Sequence, residues 1–164
     1  MLHIRSKIGK GAIAAAASAA VVLTGAGIAV ASAPGTAITT ATTIRLEARG
    51  GTSTFVNIRH QSHPAVGDEF ILAQPVFSAA HPSQLAGHGF VTVILVGRNA
   101  AQVHATLVLS QGQIDAAGVQ GSSNTFQLAV TGGTGRFQNA RGQADVKLLP
   151  GPGNKALITL HLLP

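Results

Sequence analysis

An all-β fold, a closed antiparallel barrel of about eight strands with short connections and little helix, is predicted by three features of this sequence. Short segments with period-2 alternation recur between Gly, Pro, Asn and Ser clusters. No long run places apolar residues at helical spacing. Small and β-branched side chains dominate, with 20 glycines and no Trp, Tyr or Cys, a composition suited to pleated surfaces. The 164 residues hold one domain with a real core. Closure also removes the unpaired edges that an open sheet would expose to other chains.

In chain order, residues 1–31 match an export signal. Arg5, Lys7 and Lys10 form a basic start, and Gly11 to Ala31 is uncharged and alanine-rich. Ala29-Val30-Ala31 places small residues for cleavage after Ala31. A secreted protein is therefore expected; the alternative is an uncleaved segment that anchors the chain, since about 20 apolar residues can span a bilayer. Residues 32–42 form a small, polar leader containing Pro34 and Gly35, and residues 43–164 make the barrel domain.

Strands are predicted at Thr43 to Arg49, Thr54 to His60, Asp68 to Phe77, His88 to Val96, Gln102 to Ser110, Gln113 to Val119, Asn124 to Thr131, Arg141 to Leu149 and Lys155 to Leu163. In the first, Ile44, Leu46 and Ala48 oppose Arg45, Glu47 and Arg49; in the eighth, Ala144, Val146 and Leu148 oppose Gln143, Asp145 and Lys147. Each of these strands has one wet face. Phe90 to Val96 and Ala156 to Leu163 are instead apolar on nearly both faces, which predicts that another subunit covers part of the outer wall. A homo-oligomer, dimer or trimer, is expected.

Charge excludes some partners. Without Arg5, Lys7 and Lys10, eight basic and five acidic side chains remain, a net of +3. The basic residues are scattered singly with no aromatic ladder, so no nucleic-acid partner is expected. Cysteine is absent although export would permit disulfides, so stability must come from the core.

The most specified stretch is Val130 to Gly142, containing Gly132-Gly133-Thr134-Gly135-Arg136. Such glycines after a strand can cradle a pyrophosphate at a helix N-terminus. Here Gln138 stands where a third small residue is needed, only 29 residues follow Gly135, and they read as strands. The stretch is therefore a strand-turn-strand corner, with Gly132, Gly133, Gly135 and Gly142 as structural residues, and no cofactor is expected. His60 and His63 are spaced like metal ligands, but His63 precedes Pro64 in a loop and no cysteine joins them. No metal is expected. His104 and His161 read as hydrogen-bonded surface or interface residues, and no Gly-x-Ser-x-Gly elbow occurs.

Gly112-Gln113-Ile114 with Gly118, then Phe126 through Gly142, resembles the allene oxide cyclase and dirigent protein superfamily, especially its bacterial secreted members. Val66-Gly67-Asp68-Glu69-Phe70 is similar to that family's glycine-aspartate strand opening, and the likeness spans Thr43 to Leu163. It implies an eight-stranded barrel, often trimeric in the plant proteins, with an apolar lumen for a hydrophobic small molecule. It also implies Glu47 as the match to a first-strand catalytic glutamate. Arg49 replaces the asparagine that accompanies that glutamate, and alternation puts Glu47 on the wet face.

Acid-base chemistry needs a held carboxylate or imidazole near the reacting centre. Asp68 alternates with Phe70, Leu72 and Val76, which makes it the candidate lumen acid; its other reading is a turn-capping aspartate after Gly67. Phe70, Leu72, Phe126 and Arg141 are the candidate ligand-binding residues. Three functions stay open: a barrel that binds and guides a small hydrophobic ligand, a cyclase or isomerase acting on an unsaturated lipid-like substrate, and a structural surface protein whose barrel is simply filled. The lumen lining separates them, because a buried charged pair favours an enzyme, an apolar cavity a binder and no cavity a structural role.

Overall fold

The structure is a computed structural model that describes residues 40–164; the signal segment and most of the leader lie outside the described residues. Nine strands follow one another: β1 (Thr42–Ala48), β2 (Thr52–Val56), β3 (Glu69–Ser78), β4 (Leu85–Gly97), β5 (Ala100–Leu109), β6 (Gly112–Gln120), β7 (Thr125–Gly133), β8 (Arg141–Leu148) and β9 (Ala156–Leu163). A 3-10 turn, Gly135–Phe137, joins β7 to β8.

Every ladder is antiparallel, and β3 through β9 pair in sequence order. The ring closes because β1 pairs with β9 along its whole length and with β3 at Leu46↔Ser78 to Ala48↔Val76. Eight strands thus form the predicted barrel. The ninth, β2, continues along the first half of β3, from Thr52↔Ala73 to Val56↔Glu69. The expected Thr54 to His60 strand therefore begins and ends earlier. His60 has φ 52 and stands in the loop that follows, a backbone region that ends strand pairing.

Alternation decides what the barrel encloses. Ile44, Leu46, Val76, Val103, Leu107, Ile114, Leu128, Val130, Leu160 and Leu162 point inward and are buried in one cluster. Ile114, Leu160 and Leu162 are almost wholly enclosed, each removing about 1.5–3 kcal/mol worth of apolar surface from water.

The connections β3–β4, β5–β6 and β7–β8 gather at one end, which the 3-10 turn closes by burying Phe137 and Ala140. Gly133 lets that plug approach: a side chain there would meet the carbonyl oxygens of Gln113 and Phe137 at 2.5 Å. Gly142 is bound by conformation as well, with φ +138 and a would-be Cβ 2.0 Å from the His161 carbonyl oxygen. Gly132, expected to share this role, has open space around it, because it borders a register shift in the β6–β7 ladder that spreads the strands.

Candidate functional site

The opposite end of the barrel is where inward side chains keep contact with solvent. Register places Phe70 beside Val93, Val93 beside Val103, and Leu72 beside Val91. On the far wall Phe126 lies beside Val146, and Val146 beside Ile158. Phe70, Leu72, Val91, Val93, Phe126 and Ile158 face inward yet are only half-buried, whereas most inward residues nearer the 3-10 turn are enclosed, with Leu109 half-buried among them. Three of the predicted ligand-binding residues therefore sit on the inner wall of the open half. Phe70 is further fixed by its ring contact with Phe55, centroids 4.8 Å apart.

No residue on the inner face of the described strands is ionisable. The polar groups enclosed there are satisfied locally. Gln74 donates through Nε2 to the Asn154 carbonyl at 2.8 Å, and Ser78 Oγ accepts from the His81 N–H at 3.4 Å. This wall is apolar and lends no proton donor or acceptor of adjusted acidity.

Asp68 does not supply that missing group. It is fully buried, and its two oxygens accept from the Ala65 N–H at 2.8 Å and the Ile58 N–H at 2.9 Å. The structure thus gives Asp68 the capping role and corrects its placement as a lumen acid: a carboxylate just before β3 satisfies loop donors that no ladder can reach. The Ala65 N–H foremost, then those of Ile58 and Arg59 and the Arg59 charge, hold its carboxyl below the ordinary aspartate value against the opposing push of burial.

A carboxyl whose folded pKa is depressed stabilises the fold above its unfolded pKa and loses that contribution as pH falls through the folded value. Thermal melts taken from about pH 7 to pH 3 should therefore show the loop-capping contribution fading in acid. Asp68→Ala should lower the melting temperature by on the order of 5 °C at neutral pH and flatten this acid dependence. An unchanged melting curve would remove the capping role.

Glu47 and Arg141 also lie away from the lumen. Glu47 is on the outer face of β1, 3.5 Å from Arg49 Nη1, and Arg49 in turn covers the Phe77 ring at 4.2 Å and donates to the Pro82 carbonyl. Arg141 is exposed at the start of β8 and donates through Nη2 to the Pro164 carbonyl at 2.7 Å. It belongs to the closed end, so it does not join Phe70, Leu72 and Phe126; odd positions of β8 point outward.

Two outer-wall clusters escaped the sequence reading. A groove of about 400 Å³ crosses the outer face of β3 to β7, with Ile71 and Phe90 at its apolar side and His104, Thr106, Asp115 and Thr131 at its polar side. Thr106 Oγ1 donates to Asp115 Oδ1 at 2.7 Å. On β7 to β9, Asp145 accepts from Gln143 at 2.6 Å and Gln127 at 3.1 Å, and His161 Nε2 lies 3.1 Å from its other oxygen. The Gln143 contact foremost keeps the Asp145 carboxyl below its ordinary range. Apart from Gln143–Asp145, two residues apart on β8, these contacts join residues 9 to 18 apart in sequence, and only cross-strand register such as Thr106↔Asp115 and Gln127↔Asp145 could have revealed them. Among the described residues no three His, Cys, Asp or Glu side chains gather as a metal site would require.

No family model matches the chain, and no curated protein matches it. Solved structures do. A pyocyanin demethylase aligns with a TM-score of 0.61 at 21% identity, over 71% of this chain and 97% of that one. A pterocarpan synthase dirigent protein aligns with a TM-score of 0.62 at 16% identity, over 76% and 94%. A Diels-Alderase from Streptomyces koyangensis aligns with a TM-score of 0.60 at 13% identity, over 76% and 69%. These likenesses establish the fold: the chain has the barrel shared by dirigent proteins and cycloaddition enzymes, as the resemblance of its glycine stretch implied.

Proposed function

We propose that this barrel takes a small, uncharged hydrophobic molecule through its open end and holds it in one conformation, so that a cyclisation or coupling follows from confinement. The observation that carries this reading is an inner wall with no ionisable residue, on which most of the partly exposed apolar side chains, Phe70, Val93 and Phe126 among them, lie toward the open end. An apolar pocket closed at one end removes ligand surface from water and restricts the ligand's internal rotations, which lowers the entropic part of an intramolecular barrier. The names of the structural neighbours, a demethylase, a synthase and a Diels-Alderase, support small organic molecules as the ligand class.

Self-association is part of the proposal. Phe90 (51%) remains exposed on the outer wall, on a strand whose two-sided apolar character predicts a covering subunit, and Ile71 (45%) is exposed on the neighbouring β3. Native mass spectrometry of the form expected after signal cleavage, residues 32–164, should report a dimer or trimer and any co-purified molecule. A neutral fluorescent probe, N-phenyl-1-naphthylamine, should bind saturably at one site per chain. A monomer that arrives empty and does not brighten the probe would leave a filled barrel with a structural role.

A further inference from the structure

We infer that the open end of the barrel is a docking surface for an anionic lipid bilayer. Six of the eleven large apolar side chains left exposed among the described residues lie at this end: Phe55, Val56, Ile58, Val66, Val96 and Val119. They come from the end of β2, the loop 57–67, the last turn of β4 and the last turn of β6, so they surround the mouth rather than line one groove. Four exposed cations stand among them or beside them, Arg59, Arg98, Lys147 and Lys155, and none is held in a salt bridge among the described residues. The carboxylates at this end are Glu69, half-buried, Asp68, which is enclosed, and Glu47, which shares the Leu157 rung with Lys147 and is paired with Arg49.

The loop that carries Ile58 and Val66 is built to hold them out. Asp68 binds the N–H groups of Ile58 and Ala65, so one carboxylate ties both arms of the loop, and the Asn57 side chain donates to the Gln61 carbonyl at 2.7 Å. Apolar side chains held in place lose little freedom when they enter an interface. A ring of isolated apolar tips with cations around it suits a flat surface of anionic headgroups over hydrocarbon. A second copy would bring like charges together.

Docking needs no ligand in the lumen. Its use does rest on the function proposed above: an apolar molecule dissolved in the bilayer could enter the mouth without crossing water.

The test is co-sedimentation of residues 32–164, a segment whose ring of strands closes within Thr42–Leu163, with vesicles of phosphatidylcholine alone or mixed equally with phosphatidylglycerol. Binding to the anionic vesicles should exceed binding to the neutral ones by at least about tenfold and fall with added salt. The double variants Ile58→Ser with Val66→Ser, and Arg59→Glu with Lys155→Glu, should each lose about tenfold of it, with circular dichroism unchanged. Equal binding to both vesicle types, or none, overturns the inference. So does a concentration-dependent dimer that the Ile58 and Val66 variant dissolves, which would make this end a contact between copies. Leu72→Trp should still bind vesicles while excluding the fluorescent probe, so a failed lumen and a failed docking surface give different results.

Discussion

Gly142→Ala should lower the unfolding free energy by at least about 3 kcal/mol in urea titrations, enough to leave much of a marginally stable domain unfolded. The residue is the second of β8, with φ +138, where an L side chain is strained, and the added Cβ would stand 2.0 Å from the His161 carbonyl oxygen. That carbonyl belongs to the β8–β9 ladder, so it cannot retreat without unpairing Gly142 from Leu162. Gly132→Ala, in the same stretch, should instead change stability by less than about 1 kcal/mol, because nothing lies within 4 Å of its would-be Cβ. Equal losses at both positions would mean that the stretch needs general flexibility rather than two close backbone approaches.

Leu72→Trp should abolish binding of a neutral hydrophobic probe, weakening it by more than about tenfold, equivalent to about 1.4 kcal/mol. Leu72 faces inward beside Val91 in the half-buried section of the wall, so the larger ring occupies the space a ligand would take. The structural cost should stay within about 1–3 kcal/mol, since the open half can yield where the enclosed half around Leu160 cannot. Glu47→Gln is the matching control. Its carboxylate is on the outer wall beside Arg49, so probe binding should not change. A ligand lost with Glu47→Gln and retained with Leu72→Trp would relocate the site to the outside of the barrel.

Local sequence carried much of the fold because a strand's alternation is visible without its neighbours. Ile44, Leu46 and Ala48 against Arg45, Glu47 and Arg49 orient β1, and Ala144 and Val146 orient β8. The same alternation already set Glu47 outside. Asp68 shows where this reasoning stops. Its parity matches Phe70 and Leu72, yet the loop 57–67 folds back and supplies two N–H donors that take both carboxylate oxygens. Parity states which way a side chain leaves the backbone, and a returning loop decides what meets it.

The sequence by itself determined the all-β class, segments near all nine strands, the strand-turn-strand corner within Val130 to Gly142 and the dry faces of β1 and β8, since these depend on composition, period and backbone freedom within a few residues. The tertiary structure alone decided that β1 closes the ring on both β9 and β3, leaving β2 as an extension. It also decided that Phe70, Leu72 and Phe126 share one open half while Arg141 holds the C-terminus at the other. Those outcomes depend on the stagger between strands far apart in the chain, and stagger is set by the packing of the whole barrel rather than by any one strand.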